Sequence, residues 1–124
     1  MEVLQRLTDK SLSEVFIRCY ENPNYRVFIA LGSLSHYLSF TNELRKQIMK
    51  GIPGVKYDER QRNWCTRHQV SRVEFKNGSG IKVLLCVDGF CGQRCNEILY
   101  DNLIKKEMLN QVLAPMLSPY EFCE

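Results

Sequence analysis

Hydrophobic positions in the first third of the chain change from helical spacing to strand spacing. Apolar residues that recur every three to four positions predict a helix over about residues 11–21, and Ser11 with Glu14 forms an S-x-x-E capping box at its start. The breaker NPN at 22–24 follows, and the compact apolar and β-branched run at 25–31 predicts a buried strand. The helical stripe comprises Leu12, Val15, Phe16, Cys19 and Tyr20.

A second helix and a β-hairpin are predicted further along the chain. The helix spans the stripe at 34–48 and ends before Gly51, with lysines in its last turn. The segment 51–68 has no clear periodicity and is rich in charge, Gly and Pro, so we expect a connecting loop with at most a short strand. Two β-rich runs, Val70 to Phe75 and Ile81 to Cys86, flank the NGSG turn at 77–80 and predict the hairpin.

The last third of the chain predicts one more strand and a third helix. The strand is Glu97 to Tyr100, and it ends on Asp101. The helix follows from apolar residues at helical spacing between Ile104 and Met116, with Pro115 near its end. The order helix, strand, helix, hairpin, strand, helix predicts an α/β (or α+β) fold, with a mixed sheet between helices in three layers.

Length and composition are those of one globular domain, residues 1–124. The chain is 44% hydrophobic and 25% charged, and no apolar run approaches the length of a membrane span. The polar N-terminus lacks the apolar segment of a signal peptide. We therefore expect a cytoplasmic protein with no membrane partner, whose cysteines stay reduced.

The longer motifs resemble the ATPase core of phage large terminase subunits, which are DNA-packaging motors. The segments that carry the resemblance cover nearly the whole chain: YENPNYRVFIA at 20–30, LGSLSHYLSFTNELRKQI at 31–48, VEFKNGSGIKVLLC at 73–86, GFCGQRCNEILYDN at 89–102 and LIKKEMLNQVLAPML at 103–117. The resemblance implies a remnant of a P-loop ATPase fold, with the acidic strand end of that fold at Asp101.

The phosphate loop that the resemblance implies is damaged. Lys10 and Ser11 stand where the family has the lysine and the hydroxyl residue of this loop, but Leu4 and Asp9 occupy the positions of its two glycines. Side chains there would obstruct the backbone cradle for the phosphates. The chain also starts too late to supply the strand before the loop, so we expect the neighbouring strand to have an exposed edge that favours self-association.

The resemblance also implies that the catalytic base is lost. Asp101 matches the magnesium-associated aspartate, while Asn102 replaces the glutamate that activates water, and an amide cannot act as that base. We therefore expect no catalytic residue. A vestigial nucleotide and magnesium site would comprise Lys10, Ser11 and Asp101, and a helix-capping role is the alternative for these positions.

Basic residues are concentrated in one stretch of the chain. The net charge is only +3, but residues 45–72 contain eight Lys or Arg against two acidic residues. This stretch predicts a nucleic-acid-binding surface on which an aromatic ring stacks and cations hold phosphates; a solvated face with a half-buried tryptophan is the alternative. The candidates are Arg45, Lys46, Lys50, Arg60, Arg62, Trp64, Arg67 and Arg72.

Four further residues have the types and spacing of zinc ligands. Cys65-x-x-His68 and Cys91-x-x-x-Cys95 together supply a tetrahedral set, although the sequence does not show that the two pairs meet. No cofactor other than zinc is expected.

Three functional hypotheses follow from these residues. The first is a non-catalytic phage-type protein that binds a protein partner, either a packaging component or a host defence protein that it inhibits, or that binds nucleic acid. The second is a zinc-supported nucleic-acid-binding module. The third is a nucleotide hydrolase whose missing loop comes from another chain.

Overall fold

A single six-stranded mixed β-sheet forms the centre of the protein in a computed structural model. The structure describes residues 3–50, 55–63, 68–85 and 94–120, with the backbone alone at 49, 55–63 and 68–71. The strand order is β1-β6-β2-β5-β4-β3. The strands are β1 (Leu4–Arg6), β2 (Arg26–Leu31), β3 (Val55–Asn63), β4 (His68–Phe75), β5 (Gly80–Leu85) and β6 (Glu97–Tyr100).

The sheet is parallel in one part and antiparallel in the other. Strands β1, β6, β2 and β5 run parallel, whereas β4 pairs antiparallel with both β5 and β3. A helix connects β1 to β2 and another follows β2, and β4 and β5 form the hairpin that the NGSG turn predicts. The carboxyl ends of the parallel strands therefore lie at one edge of the sheet, where α/β proteins commonly bind ligands.

Helix α1 (Asp9–Glu21) begins two residues earlier than its apolar stripe predicts, because Thr8 is its N-cap. The Thr8 hydroxyl accepts a hydrogen bond from the Ser11 backbone N–H, and the Ser11 hydroxyl accepts one from the Thr8 N–H. The capping box thus joins Thr8 and Ser11, and the prediction that Ser11 and Glu14 form it is wrong. A side-chain oxygen at this position satisfies an N–H group that the helix itself leaves without a partner.

Helix α2 (Leu34–Met49) agrees closely with its predicted stripe. The Ser33 hydroxyl caps it by accepting from the His36 backbone N–H at 3.2 Å. The helix buries Tyr37, Leu44 and Ile48 against the sheet. Helices α1 and α2 therefore cover the same face of the sheet.

Alternation along β2 divides the core between the two faces of the sheet. Val27, Ile29 and Leu31 point toward α1 and α2, while Phe28 and Ala30 belong to the cluster on the other face. A C-terminal helical segment, residues 106–116, packs on this second cluster, so the protein has a helical layer on each side of the sheet. The predicted three-layer α/β architecture is confirmed.

The C-terminal helical segment changes its helical form along its length. Helix α3 (Lys106–Met108) is followed by a π-helical turn at Leu109–Leu113 and a 3₁₀ turn at Ala114–Met116. Pro115 has no backbone N–H, so it cannot continue an α-helical hydrogen-bond pattern at this point. The predicted third helix is thus present, although only its first turn is α-helical.

Two strands depart from the predictions. The segment predicted to be a loop contains β3, which has nine residues and pairs along β4. The first strand, predicted to be missing, is supplied by β1, which pairs with β6. The backbone bonds from Ile98 N–H to the Val3 carbonyl and from Leu7 N–H to the Tyr100 carbonyl extend this pairing. The prediction that β6 has an exposed edge is therefore wrong.

The hairpin turn brings two positive-φ residues together. Gly78 has φ of 89°, and Asn24 has φ of 58°. A Cβ atom on Gly78 would meet the Asn24 Oδ1 atom, so the Asn24 side chain would have to move, and the positive φ itself favours glycine. In the described part of the chain, no helix is long and apolar enough to cross a membrane.

Candidate functional site

A pocket of about 420 Å³ opens at the carboxyl edge of the sheet. It lies where β1 and β6 end, and the first turn of α1 and the first half of α2 form its other walls. Its polar lining includes Arg6, Asp9, His36, Asp101 and Asn102. We refer to this space as the carboxyl-end pocket.

The Asp101 carboxylate is buried beside this pocket and accepts three hydrogen bonds. Its Oδ2 atom accepts from the Gly32 N–H at 2.9 Å and lies 2.7 Å from the His36 Nδ1 atom. Its Oδ1 atom accepts from the Leu103 N–H at 3.1 Å. The described donors thus occupy three of its four lone-pair directions, and its role in this geometry is to hold the backbone and His36.

Gly32 makes this arrangement possible at the end of β2. A Cβ atom at this position would lie 2.7 Å from the Leu103 Cβ atom. The absence of a side chain lets the strand end approach the turn after β6 closely enough for the Gly32 N–H to reach Asp101. The predicted capping role for Asp101 is not observed, because α3 begins only at Lys106 and the Leu103 bond closes a local Asx turn.

The other two residues of the predicted vestigial site have separate positions. The buried Ser11 hydroxyl donates to the Arg6 carbonyl and belongs to the capping box of α1. Lys10 is exposed in the first turn of α1 and does not line the pocket. Only Asp101 of the three predicted residues therefore lies at the carboxyl-end pocket.

The connection from β1 to α1 is short. Strand β1 ends at Arg6 and α1 begins at Asp9, so only Leu7 and Thr8 link them. Leu4 lies within β1 and Asp9 within α1, which places the two positions matched to the phosphate-loop glycines inside regular structure. Two residues are too few to wrap their backbone N–H groups around a phosphate as an eight-residue phosphate loop does.

A buried ion pair that the sequence did not predict fixes the opposite end of β6. Glu97 is fully buried, and Arg18 on α1 binds it with Nε 2.7 Å from Oε1 and a second nitrogen on Oε2. The Tyr25 hydroxyl donates to the same carboxylate at 2.7 Å. Burial, together with the hydrogen bond to Glu97 and its charge, raises the pKa of the Tyr25 phenol. A lone glutamate at the start of an apolar strand is the one sequence signal for this cluster.

A second, larger depression of about 570 Å³ lies over the other face of the sheet, near the amino ends of β2 and β5. Among the residues whose side chains the structure describes, the charged ones around it are four bases, Arg26, Arg72, Lys82 and Arg94, and one acid, Glu74. We call this surface the basic face. The C-terminal helical segment covers the neighbouring part of the same sheet face, over Phe28 and Leu84.

Strand register explains why these bases share one face. Lys82 on β5 pairs with Phe28 on β2 and with Arg72 on β4, so the three residues form a row across the sheet. The Lys82 Nζ atom lies 5.7 Å from the centre of the Phe28 ring. In the backbone register of β3 and β4, Asp58 pairs with Arg72 and the predicted Arg60 pairs with Val70.

The predicted basic stretch is divided by the fold. Arg45, Lys46 and Lys50 are exposed on or just after α2, which covers the other face of the sheet. Arg72 lines the basic face, and Arg62 lies in β3. Trp64 and Arg67 lie outside the described residues. The sequence did not single out Arg26, Lys82 and Arg94, because their proximity depends on strand pairing.

The structure describes little of the predicted zinc set. Cys95 is 1% exposed and packs in the apolar cluster beneath the C-terminal helical segment. Burial, together with the charge of Glu97, raises the pKa of the Cys95 thiol to about 12. His68 is the first residue of β4, whereas Cys65 and Cys91 lie outside the described residues. Among the described residues, no three His, Cys, Asp or Glu side chains form a group suited to a metal ion.

Comparison with known proteins identifies no relative of this chain. No protein-family model, curated protein or solved structure matches the chain.

Proposed function

We propose that this is a non-catalytic protein that binds nucleic acid through the basic face. The observation that carries the proposal is the excess, among the described side chains, of four bases over one carboxylate around a single depression. Arg26 and Arg94 are exposed, and Arg72 and Lys82 are partly exposed. Phosphate groups complement such a surface.

The shape of the surface supports contact with a phosphate backbone more than insertion of bases. Phe28, the aromatic residue in the central row, is only 4% exposed and is covered by the neighbouring Lys82. A buried ring cannot act as a stacking platform, which sequence-tolerant binding of single strands commonly requires. The expected binding is therefore dominated by phosphate contacts, with strong salt dependence and little sequence preference.

Two features of the carboxyl-end pocket support the part of the proposal that the protein is non-catalytic. The two-residue link between β1 and α1 offers no phosphate cradle, and Asn102 supplies no carboxylate after Asp101. The placement of Asp101 at a strand end beside the start of α1 supports descent from a terminase-like ATPase core. In this proposal the chain keeps the architecture of such a core without its hydrolytic groups.

Fluorescence anisotropy with a labelled duplex DNA tests the proposal over a range of salt concentrations. We expect Arg72→Gln and Lys82→Gln each to weaken binding and to reduce the slope of log affinity against log salt by about 1, as expected for loss of one phosphate contact. The matched control is Lys46→Gln, which removes an equal charge from the opposite side of the sheet.

Three results would count against this function. Absence of duplex binding at low salt would turn the search toward the protein-partner hypothesis. An equal loss of affinity in Lys46→Gln would show that total charge, and not the basic face, determines binding. Tighter binding of a single strand of the same sequence would contradict the inferred preference for a phosphate backbone without base stacking.

A further inference from the structure

The carboxyl-end pocket contains an imidazole whose orientation is fixed. The His36 Nδ1 atom lies 2.7 Å from Asp101 Oδ2, and that carboxylate also accepts from two backbone N–H groups. Because a carboxylate is an acceptor, Nδ1 carries the hydrogen in this contact. In the neutral ring, Nε2 is then an acceptor, and the His36 side chain lines the pocket and is 39% exposed.

The pocket also contains one cation, Arg6, and two carboxylates, the exposed Asp9 and the buried Asp101. Arg6 is exposed and, among the residues that the structure describes, forms no ion pair. Asp9 lies in the first turn of α1, where the positive end of the helix favours its charge. Arg6 attracts an anion, while Asp9 disfavours a second negative charge on that anion. These charges disfavour a dianion in the pocket relative to a monoanion.

Apolar side chains form a further part of the lining. Leu12 on α1 and Phe40 on α2 are partly buried and pack against the main core. They give the pocket an apolar part beside its polar groups. With a volume of about 420 Å³, the pocket is within the size range of small-molecule sites, which combine such walls with a few placed polar groups.

We propose that the carboxyl-end pocket binds a small hydroxycarboxylic acid monoanion with an apolar body. The carboxylate of the ligand pairs with Arg6, its hydroxyl donates to the His36 Nε2 atom, and its apolar part contacts Leu12 and Phe40. Asp101 acts as a positioning residue, because its oxygens already accept from Gly32, Leu103 and His36 and so fix the ring orientation. The site is independent of nucleic-acid binding at the basic face.

The full chain labelled with ¹⁵N-histidine provides a direct test, with 3-phenyllactate as the probe. The chain has two histidines, so long-range ¹H–¹⁵N spectra resolve His36 and His68 separately. We expect 3-phenyllactate to shift the His36 Nε2 resonance and to leave that of His68 unchanged. We expect 3-phenylpropionate, which lacks the hydroxyl, to bind at least about tenfold more weakly, the equivalent of one hydrogen bond.

Two variants and a control distinguish the contacts. His36→Gln should reduce the affinity for 3-phenyllactate to about that for 3-phenylpropionate, and Arg6→Gln should abolish binding of both acids. Lys10→Gln removes a nearby charge that does not line the pocket, and it should bind 3-phenyllactate as the unmodified chain does. Calorimetric titration of each variant provides the dissociation constants.

Several outcomes would overturn the proposal. Millimolar 3-phenyllactate that leaves the His36 resonances unchanged would exclude the site. Equal binding of the two acids to the unmodified chain would exclude the hydroxyl contact, even if a variant fails to fold. Tighter binding of phenyl phosphate would contradict selection for a monoanion, and unchanged affinity in Arg6→Gln would contradict the carboxylate contact.

Discussion

Arg18 on α1 and Glu97 at the start of β6 are 79 residues apart in sequence and form a bidentate ion pair in the interior. Glu97 is fully buried, and the Tyr25 hydroxyl and the Gln5 side chain also donate to it. The pair therefore joins the first helix to a central strand. A core tolerates a buried ion pair when further hydrogen-bond donors contact the buried carboxylate, as they do here.

Glu97→Gln should lower the free energy of unfolding by about 3–5 kcal/mol, because it leaves the Arg18 guanidinium beside a neutral amide in the interior. Urea unfolding followed by circular dichroism measures the change. Glu14→Gln is the control, since Glu14 lies 3.9 Å from the same Arg18 but is 42% exposed. We expect that variant to lose no more than about 0.5 kcal/mol. Similar losses in both variants would contradict a special role for the buried partner.

Alkaline pH should destabilise the protein through its buried thiols. Burial, with the charge of Glu97, raises the pKa of Cys19 to about 12, and the Cys95 pKa is also about 12. The unfolded thiol titrates near pH 8.5, so between about pH 8.5 and 12 the native state binds more protons than the unfolded state. The stabilisation is complete below about pH 8.5 and falls with rising pH, by about 1.4 kcal/mol per pH unit for each thiol.

Cys19→Ala separates this effect from the packing contribution of the side chain. Unfolding free energies measured between about pH 8 and 11 should decline less steeply in this variant than in the unmodified chain. The packing cost of the substitution shifts the whole curve and leaves its slope unchanged. Identical slopes in the two proteins would show that the Cys19 thiol titrates alike in the folded and unfolded states.

Asp101→Asn should release His36 and weaken the carboxyl edge of the sheet. An amide has one accepting oxygen, so it cannot accept from Gly32, Leu103 and His36 as the carboxylate does. We expect a loss of about 1–3 kcal/mol in unfolding free energy and an altered His36 tautomer in ¹⁵N spectra. Asn102→Ala, at the exposed neighbouring position, is the control. An unchanged His36 spectrum in Asp101→Asn would contradict the orienting contact.

Gly78→Ala should destabilise the hairpin. The residue has φ of 89°, and an added Cβ would lie 2.3 Å from the Asn24 Oδ1 atom. We expect a loss of about 1–3 kcal/mol, the usual range for strain at such a backbone position. Thermal unfolding compares this variant with Lys76→Ala, an exposed position in the same turn. A melting temperature equal to that of Lys76→Ala would mean that the turn relaxes without cost.

Local patterns in the sequence were sufficient for the elements with strong periodicity. The stripes of α1 and α2, the apolar run of β2 and the NGSG turn each specify local structure through side-chain spacing or backbone preference. Asp101 was singled out through the terminase resemblance, as the aspartate at the end of a short apolar strand, and the structure places it at the carboxyl edge of the sheet. The cap of α1 was misassigned by three residues, since Thr8 and Ser11 both have a capping hydroxyl.

Tertiary structure determined the features that depend on pairing between distant residues. Strand β1 has three residues, too few for a periodic signal, and β3 has a charged sequence that becomes a strand by pairing with β4. The basic face exists because strand register aligns β2, β5 and β4. The His36–Asp101 contact likewise joins residues 65 positions apart. Local spacing determines which residues can form a helix or strand, but hydrogen bonding across the sheet determines which side chains meet.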